Sequence, residues 1–171
     1  SAAFFLVAAS IAEGSDLTLE HVGMNPTRAG VITILTLMGA DIEVLNEREV
    51  GGEPVADLRV RSALLTGIEI PEDLVPLAID EFPVLFIAAA CASGKTVLSG
   101  AEELRVKESD RIASMAEGLT RLGIENDVRE DGIAITGGQI TGGEVDTFHD
   151  HRIAMSFSVA ALRASGPIHV N

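Results

Sequence analysis

Val84-Leu85-Phe86-Ile87-Ala88-Ala89-Ala90-Cys91-Ala92-Ser93-Gly94, followed by Lys95-Thr96-Val97-Leu98, is an apolar, alanine-rich run closed by a glycine and succeeded by a short β-rich segment. The same pattern stands at Phe4-Phe5-Leu6-Val7-Ala8-Ala9-Ser10-Ile11-Ala12-Glu13-Gly14 with Asp16-Leu17-Thr18-Leu19-Glu20 after it. It recurs from Ala154 through Ser156-Phe157-Ser158-Val159-Ala160-Ala161-Leu162 to Gly166, ahead of Pro167-Ile168-His169-Val170. Three copies of one supersecondary unit make an internal repeat. Each run is apolar on all sides rather than along one stripe, the mark of a helix buried in a core.

In the first two copies a second helix follows, over residues 26–38 and 109–122, with Gly39 and Gly123 in the C-cap role. Residues 41–45, 57–61, 126–129 and 132–135 alternate well enough for strands, and Gly51-Gly52, Gly137-Gly138 and Gly142-Gly143 read as turn or loop glycines. Pro71-Glu72-Asp73-Leu74-Val75-Pro76 reads as a loop between copies. Each copy is thus βαβαββ-like, starting partway through the unit. The expected fold is α+β, an alpha-beta prism: a pseudo-threefold lobe with buried helices and sheets outside. Residues 1–171 are expected to form a single domain. The third copy stops at Asn171 before a second helix, and Ser1 stands inside an apolar helical pattern, so the domain is expected to be trimmed at both ends.

A chain of 171 residues with 47% hydrophobic and 22% charged residues can bury a continuous core without staples. With no Trp or Tyr, that core is mostly aliphatic. The single cysteine, Cys91, lies in an alanine-rich run and reads as a small buried hydrophobe. The net charge of −14 argues against nucleic-acid binding and against docking on an anionic membrane, both of which need a basic face. Residues 2–12 are too short to span a bilayer, and no initiator Met or basic stretch precedes them as in a signal peptide. A cytoplasmic protein is expected.

Against that acidic background Arg105, Lys107 and Arg111 fall close together in Leu104-Arg105-Val106-Lys107-Glu108-Ser109-Asp110-Arg111. Ser109 or Asp110 reads as the N-cap of the second helix of copy two. Cations at a helix N-terminus oppose the macrodipole unless an anion lies between them, so the cluster fits an anionic ligand. Ile79-Asp80-Glu81-Phe82-Pro83 and Phe148-His149-Asp150-His151-Arg152 open the apolar helices of copies two and three, with Asp80 and Asp150 as expected N-caps. His149 and His151 do not share a helix face and no Cys or third His is nearby, so no metal site is expected. Repeat symmetry then gathers Asp80, Lys107, Glu108, Arg111, His151 and Arg152 at one end of the lobe, two candidate proton carriers set among cations.

Arg105-Val106-Lys107-Glu108-Ser109-Asp110-Arg111 and Asp150-His151-Arg152-Ile153-Ala154-Met155 resemble the C-terminal motifs of the 3-phosphoshikimate 1-carboxyvinyltransferase family, also called enolpyruvylshikimate-phosphate synthase. The opening Ser1-Ala2-Ala3-Phe4-Phe5-Leu6 is similar to the start of that family's C-terminal lobe, and Asp80 falls where the family has an Asp before an alanine-rich helix. The resemblance covers essentially the whole chain. It implies transfer of the enolpyruvyl group of phosphoenolpyruvate to the 5-hydroxyl of shikimate 3-phosphate, with release of phosphate and with no metal or organic cofactor. It further implies catalytic roles for Asp80 as base and Glu108 as acid. Lys107 would bind shikimate 3-phosphate, while Arg111, His151 and Arg152 would bind phosphoenolpyruvate. The missing N-terminal lobe would supply the rest of the cleft, so this chain alone is expected to be inactive, and glyphosate is the expected inhibitor of the parent. Two alternatives stay open from the sequence: a UDP-N-acetylglucosamine enolpyruvyl transferase lobe, and a non-catalytic or RNA 3′-phosphate cyclase-like module.

Overall fold

In the computed structural model, which describes residues 2–171, the three apolar runs are helices that pack on one another. Ser1, with which the quoted opening segment begins, lies outside the described residues. The first unit runs α1 (Ala2–Ile11), β1 (Asp16–Gly23), α2 (Pro26–Leu37), β2 (Asp41–Val50) and β3 (Glu53–Arg61). The second contains a short helix α3 (Val75–Ala78), then α4 (Phe82–Cys91), β4 (Lys95–Leu98), α5 (Arg111–Arg121), β5 (Asn126–Arg129) and β6 (Gly132–Thr136). The third is β7 (Gly143–Val145), α6 (His151–Ala160) and β8 (Ile168–Val170).

Helix α4 is buried at every position from Phe82 to Ala90, and it touches both α1 and α6. Full burial of a Leu, Ile or Phe side chain stabilises by about 1.5–3 kcal/mol, and Leu6, Ile11, Phe82, Ile87 and Phe157 are all fully buried at this threefold contact. The polar groups drawn in are satisfied locally: Ser10 Oγ donates to the Leu6 carbonyl at 2.7 Å and Ser156 Oγ to the Arg152 carbonyl at 2.6 Å. The stretch Glu72–Cys91 is long and apolar enough to cross a membrane by length and composition, but its most apolar part is this central helix.

The sheets lie outside, in the orders β1-β3-β2, β4-β6-β5 and β7-β8. Strands β7 and β8 are parallel across α6. Residues 66–70 lie parallel to β4 across α4, with Ile70 N–H donating to the Val97 carbonyl at 2.9 Å and Val97 N–H to Ile68 at 2.9 Å. The second unit is therefore a complete βαβαββ. Helix α2 closes at Gly39 and α5 at Gly123, with φ of 98° and 81°, a left-handed conformation that glycine adopts without steric cost. The third run differs from expectation: α6 stops at Ala160 and passes into a 3-10 turn, Ala161–Arg163, well before Gly166. Strands β1 and β2 are longer than their alternation implied, because each carries a bulge, between Leu19 and Val22 and between Leu45 and Arg48. Asp57 on the central strand secures both, accepting from His21 N–H at 2.9 Å and from Asn46 Nδ2 at 2.8 Å.

Second helices α2 and α5 each lie against the first helix of their own unit, and α5 also meets α6. That approach is close: a Cβ on Gly118 would stand 2.2 Å from Phe157 Cζ. Among the described residues no helix occupies the corresponding place between α6 and α1. Leu17, opposite the fully buried Val60 in its sheet, is exposed, as are Phe5 and Leu162.

Candidate active site

Helices α4, α5 and α6 begin at the same end of the lobe, and their starts bring the charged motifs into contact. Asp110 caps α5 through a hydrogen bond from Ala113 N–H at 3.1 Å, and Asp150 caps α6 through one from Arg152 N–H at 3.0 Å. The expectation that Asp80 caps α4 is corrected. Asp80 sits in a 3-10 turn, Ile79–Glu81, that runs straight into the helix, so no extended cap residue intervenes. Its carboxylate is instead turned to cations: Oδ1 lies 3.3 Å from Lys107 Nζ and 3.3 Å from Arg111 Nη1.

Arg111, the first residue of α5, is the hub. Its Nε donates to Asp150 Oδ2 at 2.9 Å, and its Nη2 to Glu108 Oε2 and to Asp150 Oδ1, the latter at 3.4 Å. Arg152 Nη1 donates to the Asp80 carbonyl at 3.0 Å and to Glu81 Oε1 at 2.7 Å. The structure thus joins Asp80, Lys107, Glu108, Arg111 and Arg152, separated by up to 72 positions in sequence, in one cluster. His151 is the exposed first residue of α6, beside Arg152. Among the described residues no group of three or more His, Cys, Asp or Glu is arranged to hold a metal ion.

Burial grades the cluster from floor to mouth. Side chains of Asp150 and Arg111 are 1% and 3% exposed, Lys107 23%, Asp80 50% and Glu108 67%. The Asp80 and Glu108 carboxylates therefore face solvent while the Arg111–Asp150 pair is sealed beneath them. Burial pushes the Asp150 carboxyl up, but hydrogen bonds from Arg111 and Ser109 and the Arg111 charge outweigh it, so the group titrates below its ordinary value. Two expectations change here. Arg105 serves the scaffold, not the cleft: it donates to the carbonyls of Glu130 and Arg129 and to Asp110 Oδ2. And the cations are not bare, since Lys107, Arg111 and Arg152 each have a carboxylate partner.

The sequence offered Asp150 and Ser109 only as cap candidates and did not reveal that Ser109 Oγ donates to Asp150 Oδ2, at 2.9 Å. Nor did it reveal strain just ahead of Asp150. Phe148 and His149 are successive non-glycine residues in the left-handed region, with φ of 52° and 58°. Such backbone costs about 1–3 kcal/mol per residue and tends to persist where function requires it. Cys91 stays out of the chemistry: burial pushes its thiol up to about 11, so it is protonated at neutral pH.

A family model described as EPSP synthase (3-phosphoshikimate 1-carboxyvinyltransferase) matches residues 1–171. The chain belongs to that family. Among its relatives, the 3-phosphoshikimate 1-carboxyvinyltransferases of Alkalilimnicola ehrlichii and Halorhodospira halophila are 72% and 71% identical over 171 residues, matching 99% of this chain and 38% of each relative. A solved structure of EPSP synthase from Acinetobacter baumannii superposes with a TM-score of 0.96 at 61% identity, over 99% of this chain and 40% of that one. The enolpyruvyl transferase NikO from Streptomyces tendae shares the fold, with a TM-score of 0.66 at 19% identity over 99% of this chain and 37% of that one. The chain spans under two fifths of the length of the curated relatives it matches. Membership of the family sets aside the UDP-N-acetylglucosamine and RNA cyclase-like readings.

Proposed function

We propose that residues 1–171 form one wall of an active site that moves the enolpyruvyl group of phosphoenolpyruvate to the 5-hydroxyl of shikimate 3-phosphate, releasing phosphate, in a cytoplasmic enzyme. The observation that carries this reading is the convergence of Asp80, Lys107, Glu108, Arg111 and Arg152 at three helix starts, in a chain of this family. In the proposed reaction the hydroxyl oxygen attacks C2 of phosphoenolpyruvate while Asp80 takes the hydroxyl proton and Glu108 delivers a proton to the methylene carbon. The tetrahedral intermediate then loses phosphate and a methyl proton, restoring the enol ether. Positioned acids and bases of this kind contribute about 10²–10⁴ in rate each.

Arg111 and Arg152 are assigned the phosphoenolpyruvate carboxylate, because two guanidinium forks match a planar carboxylate through charge-assisted hydrogen bonds. Binding there means that the ligand carboxylate replaces Glu108 and Asp80 on Arg111, which frees both groups at the moment they are needed. Lys107, beside Asp80, is assigned to shikimate 3-phosphate, and exposed His151 to the phosphoenolpyruvate side. Glyphosate, which carries a carboxylate and a phosphonate, is the proposed inhibitor of the same arginines. A second lobe, absent from this chain, supplies the opposite wall. Calorimetric titration of a full-length chimera, in which residues 1–171 replace the matching segment of the Alkalilimnicola ehrlichii relative, tests the assignment. Shikimate 3-phosphate should bind and then promote phosphoenolpyruvate binding, whereas binding of UDP-N-acetylglucosamine in its place would refute it.

A further inference from the structure

Asp150 has no part in the proposed chemistry, yet it is the most enclosed charge in the cluster. At 1% side-chain exposure it cannot reach a substrate, and it is not needed merely to cap α6, since its carboxylate takes more than the cap bond. Oδ2 accepts from Arg111 Nε and from Ser109 Oγ, each at 2.9 Å; Oδ1 accepts from Arg152 N–H at 3.0 Å and Arg111 Nη2 at 3.4 Å. One carboxylate thereby ties the segment before α5, the side chain of α5's first residue and the backbone of α6's second residue.

We infer that Asp150 is a positioning residue that presents Arg111 and Arg152 to the phosphoenolpyruvate carboxylate as a pair of fixed orientation. This rests on the enolpyruvyl-transfer reading above. By holding the Nε edge of Arg111, Asp150 leaves the Nη1 and Nη2 atoms toward Asp80 and Glu108, which are 50% and 67% exposed. Those two carboxylates stand at the solvent side and can give way to a ligand. Asp150 cannot, because leaving Arg111 buried without it would strand a desolvated charge. The guanidinium keeps its direction while its outer partners exchange, so the ligand does not spend binding energy on ordering it. The same carboxylate sets the first turn of α6 through Arg152 N–H and so fixes where the Arg152 side chain departs.

Asp150→Asn tests this in the full-length chimera, because asparagine still caps a helix but removes the charge that orients Arg111. The expected result is a KM for phosphoenolpyruvate raised about tenfold or more, weaker glyphosate inhibition in parallel, and an unchanged KM for shikimate 3-phosphate. Asp150→Glu, which keeps the charge but displaces the carboxylate by a methylene, should show the same selective defect. If neither aspartate variant folds, Ser109→Ala carries the test: it removes one of the bonds on the carboxylate and should raise the KM for phosphoenolpyruvate by about two- to threefold. A merely structural role would lower the active fraction, seen as reduced kcat with both KM values unchanged, and that result overturns the inference while the functional reading stands. Failure of the unmutated chimera to release phosphate from the two substrates overturns the functional reading and the inference with it.

Discussion

Truncating Arg152 to alanine should weaken phosphoenolpyruvate and leave the chemical step nearly intact. The guanidinium donates to Glu81 Oε1 at 2.7 Å and to the Asp80 carbonyl at 3.0 Å, and a third of its side chain is exposed. A charge-assisted hydrogen bond to the ligand carboxylate is worth about 1.5–3 kcal/mol. At about 1.4 kcal/mol per factor of ten, its loss raises the KM for phosphoenolpyruvate roughly 10- to 150-fold. The partly exposed pair with Glu81 contributes at most about 1 kcal/mol to folding, so the melting temperature should fall by only a few degrees. The assay is initial-rate phosphate release by the full-length chimera at saturating shikimate 3-phosphate with phosphoenolpyruvate varied. A variant that loses kcat while keeping its KM for phosphoenolpyruvate, or whose KM for shikimate 3-phosphate rises as much, refutes the assignment of Arg152 to the donor's carboxylate.

Glu108→Gln should show the opposite pattern, a kcat lowered by about 10²–10⁴ with little change in the KM for phosphoenolpyruvate, and equal loss of both parameters would contradict its role as the carbon acid. Thr96→Val should stabilise the chain by about 1 kcal/mol in urea unfolding. The Thr96 hydroxyl is buried without a hydrogen-bond partner among the described residues, beside a cavity of about 10 Å³ between Met38, Leu85 and Ile135, and a destabilised valine variant would show that the hydroxyl is satisfied. Asp150 titrates below its ordinary 3.8 in the folded chain, so the unfolded state binds the extra proton first: its stabilising contribution is fully present above about pH 4 and is lost as pH falls through the lower folded value. Asp150→Asn should therefore flatten the acid limb of a stability-versus-pH curve, and an unchanged limb would contradict the pairing with Arg111.

The repeat was legible because all-round apolar helices and their terminal glycines are local signals, and Gly39 and Gly123 close α2 and α5 where the pattern put them. Strand lengths were not. Alternation in β1 breaks at Glu20 and His21 and in β2 at Asn46 and Glu47, so each strand read as ending where a bulge merely interrupts it. Residues 66–70 and β7 escaped notice because each is short and contains glycine, and their pairing is supplied by distant β4 and β8. At the site, the motifs named the charged residues, and repeat symmetry placed them at one end. What symmetry could not give is Asp150's grip on Arg111 and Ser109 across 39 and 41 positions, which depends on α5 lying close against α6 at Gly118 and Phe157. The error over Asp80 has the same origin: a 3-10 turn and a helix share one composition, and only the tertiary position of Lys107 and Arg111 explains why its carboxylate turns away from the helix end.

The central claim, that this chain is one wall of a two-walled site, is tested most directly by phosphate release from phosphoenolpyruvate in the presence of shikimate 3-phosphate. The measurement is made on the 171-residue chain alone and on the same chain mixed with a separately produced second lobe. Holding both substrates in line between two walls can account for about 7–11 kcal/mol of the barrier, so the chain alone should give no release above background. The mixture should give release that requires shikimate 3-phosphate and disappears with Glu108→Gln in this chain. Turnover of both substrates by the isolated chain would contradict the account.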